Sequence, residues 1–268
     1  MSSLFILLLA VAVWILVGSS PFQYRCFLIT LEKEELRRKR FFENHDPKVP
    51  IEVIYGPDTR DVETARVFED EVVPAYFKKA VEMHYNPDIL RPNITFFNLG
   101  AIGCYFAHLR FYSRAMQLGL KYAVVFEDNV IVKSKELYAH IQDVIDRKKD
   151  DFELCFFHCL SRLPFDAHEE SDDDIERVRW ISSTKCYLVH VPNMKKYMHN
   201  FLPMDNHIDL KTEDVIAKGA RVFYKDLRDY MYIDRSHNST IGHRDHGQEQ
   251  FISRQNKNAT IDDVKWGY

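Results

Sequence analysis

Two groups of acidic residues in this chain have the type and spacing to do chemistry. Glu127, Asp128 and Asn129 close an apolar run, Tyr122–Phe126. Carboxylates at the end of a buried strand can hold a divalent cation, which in turn holds phosphates. Asp205 and Asp209 lie four apart in a segment that leaves a predicted helix. A carboxylate entering a cleft from such a segment can take a proton as a general base. Capping of the next helix by Asp205 is the other use for an Asp there.

The first group must be positioned by what precedes it. Ile102, Phe106, Leu109, Tyr112 and Met116 recur at helical spacing and make one apolar face. Gly119 follows where a left-handed stop is wanted. Tyr122–Phe126 is then a short β-rich run, as expected of a strand buried on both faces. Tyr24–Leu31 and Val49–Tyr55 read as two earlier strands, separated by a charged helix over Glu32–Glu43. Asp61–Tyr85 is helical in character and broken at Pro74, and a helix over Lys135–Lys149 turns Leu137, Ile141, Val144 and Ile145 to one side. Phe152–Leu160 reads as a central strand with His158 as a core residue, Ser182–Val191 as another strand, Pro192–Phe201 as a helix and Ala220–Tyr224 as an edge strand. Strand and helix alternate, which predicts one mostly parallel α/β sheet.

The segment Asn98–Lys133 resembles glycosyltransferase family 25, the lipopolysaccharide-type glycosyltransferases and procollagen galactosyltransferases. Gly100, Ile102, Gly103, Cys104 and His108 match that family's glycine–cysteine–histidine segment, and Val125-Phe126-Glu127-Asp128 its acidic strand end. Tyr187-Leu-Val and Pro203-Met-Asp205 match more weakly. Ala101, Ala107 and Asn129 depart from the family's Glu, Ser and final Asp. The resemblance implies a Rossmann-like, GT-A type nucleotide-sugar transferase fold. It implies a nucleotide-sugar site built from Thr30, Arg37, Arg38, Gly103 and His108, and a divalent cation, Mn²⁺ or another, at Glu127, Asp128 and Asn129. It further implies inverting transfer of a hexose, galactose or glucose, from a UDP-sugar to a glycan or protein acceptor, with Asp205 as the catalytic base and Asp209 as a second catalytic carboxylate. Asn129 offers a neutral oxygen where the family has a carboxylate. It therefore also motivates an alternative, a non-catalytic lumenal binding or adhesion protein of the same fold.

At 268 residues, 46% hydrophobic and 13% aromatic, the chain can bury one large core. A net charge of −4 gives no case for nucleic-acid binding. Leu4–Val17 is uninterrupted apolar sequence closed by Gly18-Ser-Ser-Pro21. It predicts a signal peptide or short signal-anchor over residues 1–20, ahead of a single catalytic domain over 21–268. The sequons at Asn93, Asn238 and Asn258 agree with a lumenal, secretory-pathway location, with membrane attachment through the leader if uncleaved. Cys26, Cys104, Cys155, Cys159 and Cys186 show no Cys-x-x-Cys spacing, which disfavours a zinc or redox pair. The acidic run Glu169–Asp174 lacks the EF-hand pattern and reads as a solvated loop rather than a calcium site.

Overall fold

A computed structural model describes residues 22–85, 98–165, 174–234 and 236. The leader, the three sequons and Glu169–Asp173 lie outside the described residues. Among the described residues, no helix is long and apolar enough to cross a membrane.

The chain opens with β1 (Tyr24–Thr30), α1 (Glu35–Asn44), β2 (Ile51–Tyr55), α2 (Val62–Arg66) and α3 (Pro74–Tyr85). Helix α4 (Leu99–Gln117) then leads into β3 (Tyr122–Glu127), β4 (Val130–Val132) and α5 (Glu136–Lys148). Next come β5 (Leu154–Phe156), β6 (Ser161–Pro164), β7 (Glu176–Ser182), β8 (Cys186–His190) and α6 (Val191–Lys195). The last elements are α7 (Lys211–Ala217), β9 (Val222–Tyr224) and β10 (Met231–Ile233).

Eight strands form one sheet in the order β2-β1-β3-β8-β5-β9-β7-β6. Strands β8 and β7 run against the others, so the sheet is mostly parallel. Helices cover both faces, and the pleat sorts the side chains between them. From β1 and β3, Phe27, Ile29, Ala123 and Val125 pack on the α4 side. Tyr24, Cys26, Leu28, Tyr122, Val124 and Phe126 pack on the α5 side. The expected α/β, Rossmann-like architecture is the one observed.

Helix α4 begins at Asn98, whose side chain accepts the Ala101 N–H at 2.7 Å, an N-cap that leaves few first-turn donors unpaired. It ends at Gly119, which adopts φ +62°. The helix is buried more widely than its predicted stripe, with Tyr105, Phe111 and Ala115 also inside. All five cysteines are free.

The central part of the chain departs from expectation. The strand read over Phe152–Leu160 is regular only at Leu154–Phe156, and a new strand begins at Ser161. The run Ser182–Val191 is two strands joined through Ser183, which takes φ +96°. The helix read over Pro192–Phe201 stops at Lys195 and resumes as one 3-10 turn, Met198–Asn200. Strand β9 is internal rather than an edge, because the β6–β7 hairpin pairs beyond it.

Candidate active site

Strands β1, β2 and β3 are parallel, so their carboxyl ends share one edge of the sheet. A cleft open to solvent lies there. Thr30 and Leu31 follow from β1, Gly56 to Arg60 from β2, and Glu127 and Asp128 from β3; Gly100, Gly103 and Cys104 come from the first turns of α4. The cleft therefore faces the positive end of a 19-residue helix, a setting that favours anions.

Asp128 is buried at 7% exposure. One carboxylate oxygen accepts from the Thr30 hydroxyl at 2.8 Å and the other from the Arg37 guanidinium at 3.2 Å. Burial pushes its carboxyl up, against the pull of Arg37 and Thr30. Glu127 sits one step beyond the last β3–β8 pair, Phe126 with Cys186, and its N–H donates to the Lys185 carbonyl at 2.9 Å. Its carboxylate accepts from the Thr184 hydroxyl at 2.8 Å and the Lys185 ammonium at 2.6 Å. Burial raises the Glu127 carboxyl, but Lys185 and His108 pull harder and hold it well below the usual range.

The residues expected to meet a nucleotide sugar divide. Thr30 and Gly103 line the cleft. His108 is fully buried behind Glu127, its Nε2 3.8 Å from the carboxylate and its Nδ1 sharing a hydrogen bond with the Tyr187 hydroxyl at 2.8 Å. Arg37, 5% exposed, is spent on Asp128. Arg38 donates to the Leu31 carbonyl at 2.5 Å and lies over the exposed Tyr55 ring. The matched positions His108 and Arg37 thus form the wall behind the cleft rather than its surface.

Gly103 is needed for a close approach. Its N–H donates to the Thr59 hydroxyl at 2.7 Å, and a Cβ there would run into the Pro57 carbonyl oxygen. Gly103→Ala is expected to push α4 off the β2 loop and to cost about 1–3 kcal/mol as overpacking, read as a lower denaturant midpoint at unchanged slope.

The second acidic pair is also resolved into two environments. Asp205, 44% exposed, pairs with Lys211 at 2.7 Å, and Lys211 also holds Asp214 at 2.9 Å. Asp209 accepts the Ser183 and Leu210 N–H groups at 2.9 and 3.0 Å. Ser183 is in the turn that delivers Thr184 and Lys185 to Glu127. Burial raises the Cys104 thiol, and the charges of Glu127, Asp209 and Asp128 act on it in the same direction. Asp209 is tied to the acidic strand end through the Ser183 turn, and neither Asp205 nor Asp209 is among the residues that line the cleft.

The sequence of Glycosyltransferase family 25 (LPS biosynthesis protein) matches residues 23–236. The chain belongs to this family. No curated protein sequence matches it significantly. Among solved structures, the family 25 chain is similar to A197 from STIV at 8% identity and a TM-score of 0.37, over 83% of this chain and 99% of that one. A glycosyltransferase involved in the glycosylation of the major capsid of PBCV-1 gives 11%, 0.43, 86% and 98% for the same measures. A UTP-bound UGPase from Acinetobacter baumannii gives 9%, 0.43, 88% and 99%. The family match, not these distant likenesses, places the chain.

Several residues of the site were not anticipated. Asp58 and Arg60 line the cleft, with Arg60 Nε on Asp58 at 2.8 Å, a second guanidinium nitrogen at 3.0 Å, and Lys33 also paired with Asp58. Their signal was their place just after a predicted strand, next to Gly56-Pro57. Lys185 carried no signal, since it lies inside a run that reads as strand.

A divalent cation at Glu127, Asp128 and Asn129 does not fit this donor set as it stands. The carboxylate oxygens of Glu127 and Asp128 are each engaged by a hydroxyl or a cation of the chain. Of these three residues, Asn129 is the one whose side-chain oxygen is buried without a hydrogen-bond partner among the described residues, and His108 Nε2 behind Glu127 is likewise unpartnered. Cys104, His108 and Glu127 bring ligand atoms within 4.8 Å of one another. The Glu127 oxygen nearest His108, Oε1, accepts from Thr184, and Lys185 holds Oε2 of the same carboxylate.

Proposed function

We propose that this glycosyltransferase moves a hexose, galactose or glucose, from a UDP-sugar to a hydroxyl of a glycan or protein acceptor with inversion, in the lumen of the secretory pathway. The observation that carries the reading is the combination of family membership with an anion-favouring cleft at the carboxyl ends of β1, β2 and β3. In it the nucleoside diphosphate faces the first turns of α4 and the Arg60 guanidinium. These stabilise the charge that develops on the leaving diphosphate.

Asp209, rather than the Asp205 expected from the sequence, is the favoured base. It is held by two backbone N–H groups, which orient its carboxylate. The Asp205 carboxylate is occupied by Lys211. In the proposed step Asp209 takes the acceptor's hydroxyl proton. The oxygen bonds to the anomeric carbon as the bond from that carbon to the diphosphate oxygen breaks, and UDP leaves with the bonding pair.

Asn129 favours a second reading, a lumenal binding protein that keeps the fold without turnover. Incubation of residues 21–268 with UDP-galactose or UDP-glucose separates the two. Slow release of UDP, water standing in for the acceptor, is expected of the transferase, and UDP binding without release of the sugar is expected of the binding protein. Glycosidase-sensitive mass on protein made in a eukaryotic secretory system tests the location.

A further inference from the structure

We propose that this chain binds its nucleoside diphosphate without a divalent cation, because Lys185, Arg37, Arg60 and Lys33 already compensate every carboxylate that lines the cleft. The inference rests on the reading of the cleft as a nucleotide-sugar site.

The carboxylates lining the cleft are Asp58, Glu127 and Asp128. Each has its own cation: Asp58 has Arg60 and Lys33, Glu127 has Lys185, and Asp128 has Arg37. A hard divalent cation takes about six oxygen ligands and draws its affinity from the anionic ones. To gain a bare carboxylate at Asp128 or Glu127 it must expel the buried Arg37 guanidinium or the Lys185 ammonium, and at Asp58 it meets two cations, Arg60 and Lys33, on a single carboxylate. Arg37 is 5% exposed and Lys185 21%, so neither leaves without stranding a charge of low accessibility.

The one unengaged oxygen of the group, on the Asn129 amide, is neutral. It cannot replace the two carboxylates that are taken. The substitution of an amide at position 129 and the ammonium at position 185 act in the same direction. One withholds a negative ligand and the other places a positive charge against the neighbouring one.

The diphosphate then finds its positive partners in the protein. Arg60 uses Nε and one terminal nitrogen on Asp58, and its other terminal nitrogen is not engaged by the described residues. Lys33 at 56% exposure and the first turn of α4 stand at the same edge. A planar guanidinium suits a phosphate oxygen pair, and a helix amino end suits the rest.

The test uses the full chain and two readouts. Free Mn²⁺ is followed by electron paramagnetic resonance in the absence of nucleotide, and UDP binding is followed by calorimetry in EDTA and in MnCl₂. The parent protein is expected to leave the Mn²⁺ signal unchanged and to bind UDP with affinities that agree within about twofold in the two buffers, a difference below roughly 0.4 kcal/mol. Lys185→Met uncovers Glu127 and is expected to withdraw Mn²⁺ from the free signal. Asn129→Asp adds an uncompensated carboxylate without removing any partner. It is expected to do the same, and it stands in if Lys185→Met does not fold. Stoichiometric Mn²⁺ binding by the parent, or UDP affinity that falls tenfold or more in EDTA, overturns the inference. Absence of UDP binding in both buffers overturns the nucleotide-sugar reading and the inference with it.

Discussion

Asp209→Asn is expected to lower UDP-sugar turnover by about 10²–10⁴-fold while leaving UDP affinity unchanged. Ser183 and Leu210 donate to different oxygens of the carboxylate, so the amide keeps its one oxygen for the Ser183 N–H, which holds the turn that carries Thr184 and Lys185, and gives up the Leu210 contact. What it loses is the ability to take a proton. Asp205→Asn is expected to change turnover by less than about tenfold, because that carboxylate is occupied by Lys211. Lys211 keeps Asp214 in the variant, which limits the structural cost. Steady-state kinetics and calorimetry on the two variants separate the roles. Equal losses in both, or a loss of UDP binding in Asp209→Asn, would remove Asp209 as the base.

The site's backbone frame was legible because it is local. A buried strand ending in acid, a preceding helix with a glycine stop, and two earlier strands each show in the hydrophobic period of their own residues. The parallel ends of β1, β2 and β3 follow from that alternation, and with them the place of the cleft. What could not be read is the pairing across sequence distance. Glu127 meets Lys185 because β8 runs against β3, and no periodicity says which way β8 runs. The β6–β7 hairpin was missed for the same reason. Strand β6 is short and half-exposed, and β7, although it places Val178, Trp180 and Ile181 inside, interleaves them with Glu176, Arg177 and Arg179.

The matched family residues show a related limit. Arg37 and His108 agree with the pattern in position, yet their side chains support Asp128 and Glu127 from behind. A sequence match reports that a residue belongs to the site, not which side of the wall it occupies. Asp58 and Arg60 are the reverse case, cleft-lining residues outside the recognised segments. Their bidentate contact also keeps the Asp58 carboxyl well below its usual range, with hydrogen bonding from Arg60 the main cause and Lys33 adding to it.

The largest effect on stability is expected from Arg37→Met. The substitution keeps much of the side chain's length and removes its charge, leaving Asp128 buried beside Thr30 alone. Stranding one partner of a buried ion pair costs about 3–5 kcal/mol. That corresponds to a fall in Tm of roughly 6–20 °C for a domain of this size. The effect has a pH signature. Burial already raises the Asp128 carboxyl in the folded protein, and loss of Arg37 removes the main opposing pull. A carboxyl whose folded pKa lies above its unfolded value of about 3.9 favours folding when protonated, and that contribution is lost as pH rises through the folded pKa. The gap between Arg37→Met and the parent should therefore be wide near pH 8 and narrower near pH 5, both rough bounds set by where carboxyls titrate. Adding Asp128→Asn removes the stranded charge and should recover most of the loss at the higher pH, with the two variants strongly non-additive. Thermal melts of the parent, both single variants and the double at the two pH values provide the cycle. A cost that is independent of pH and additive in the double variant would mean that Arg37 acts through its packing and not through Asp128.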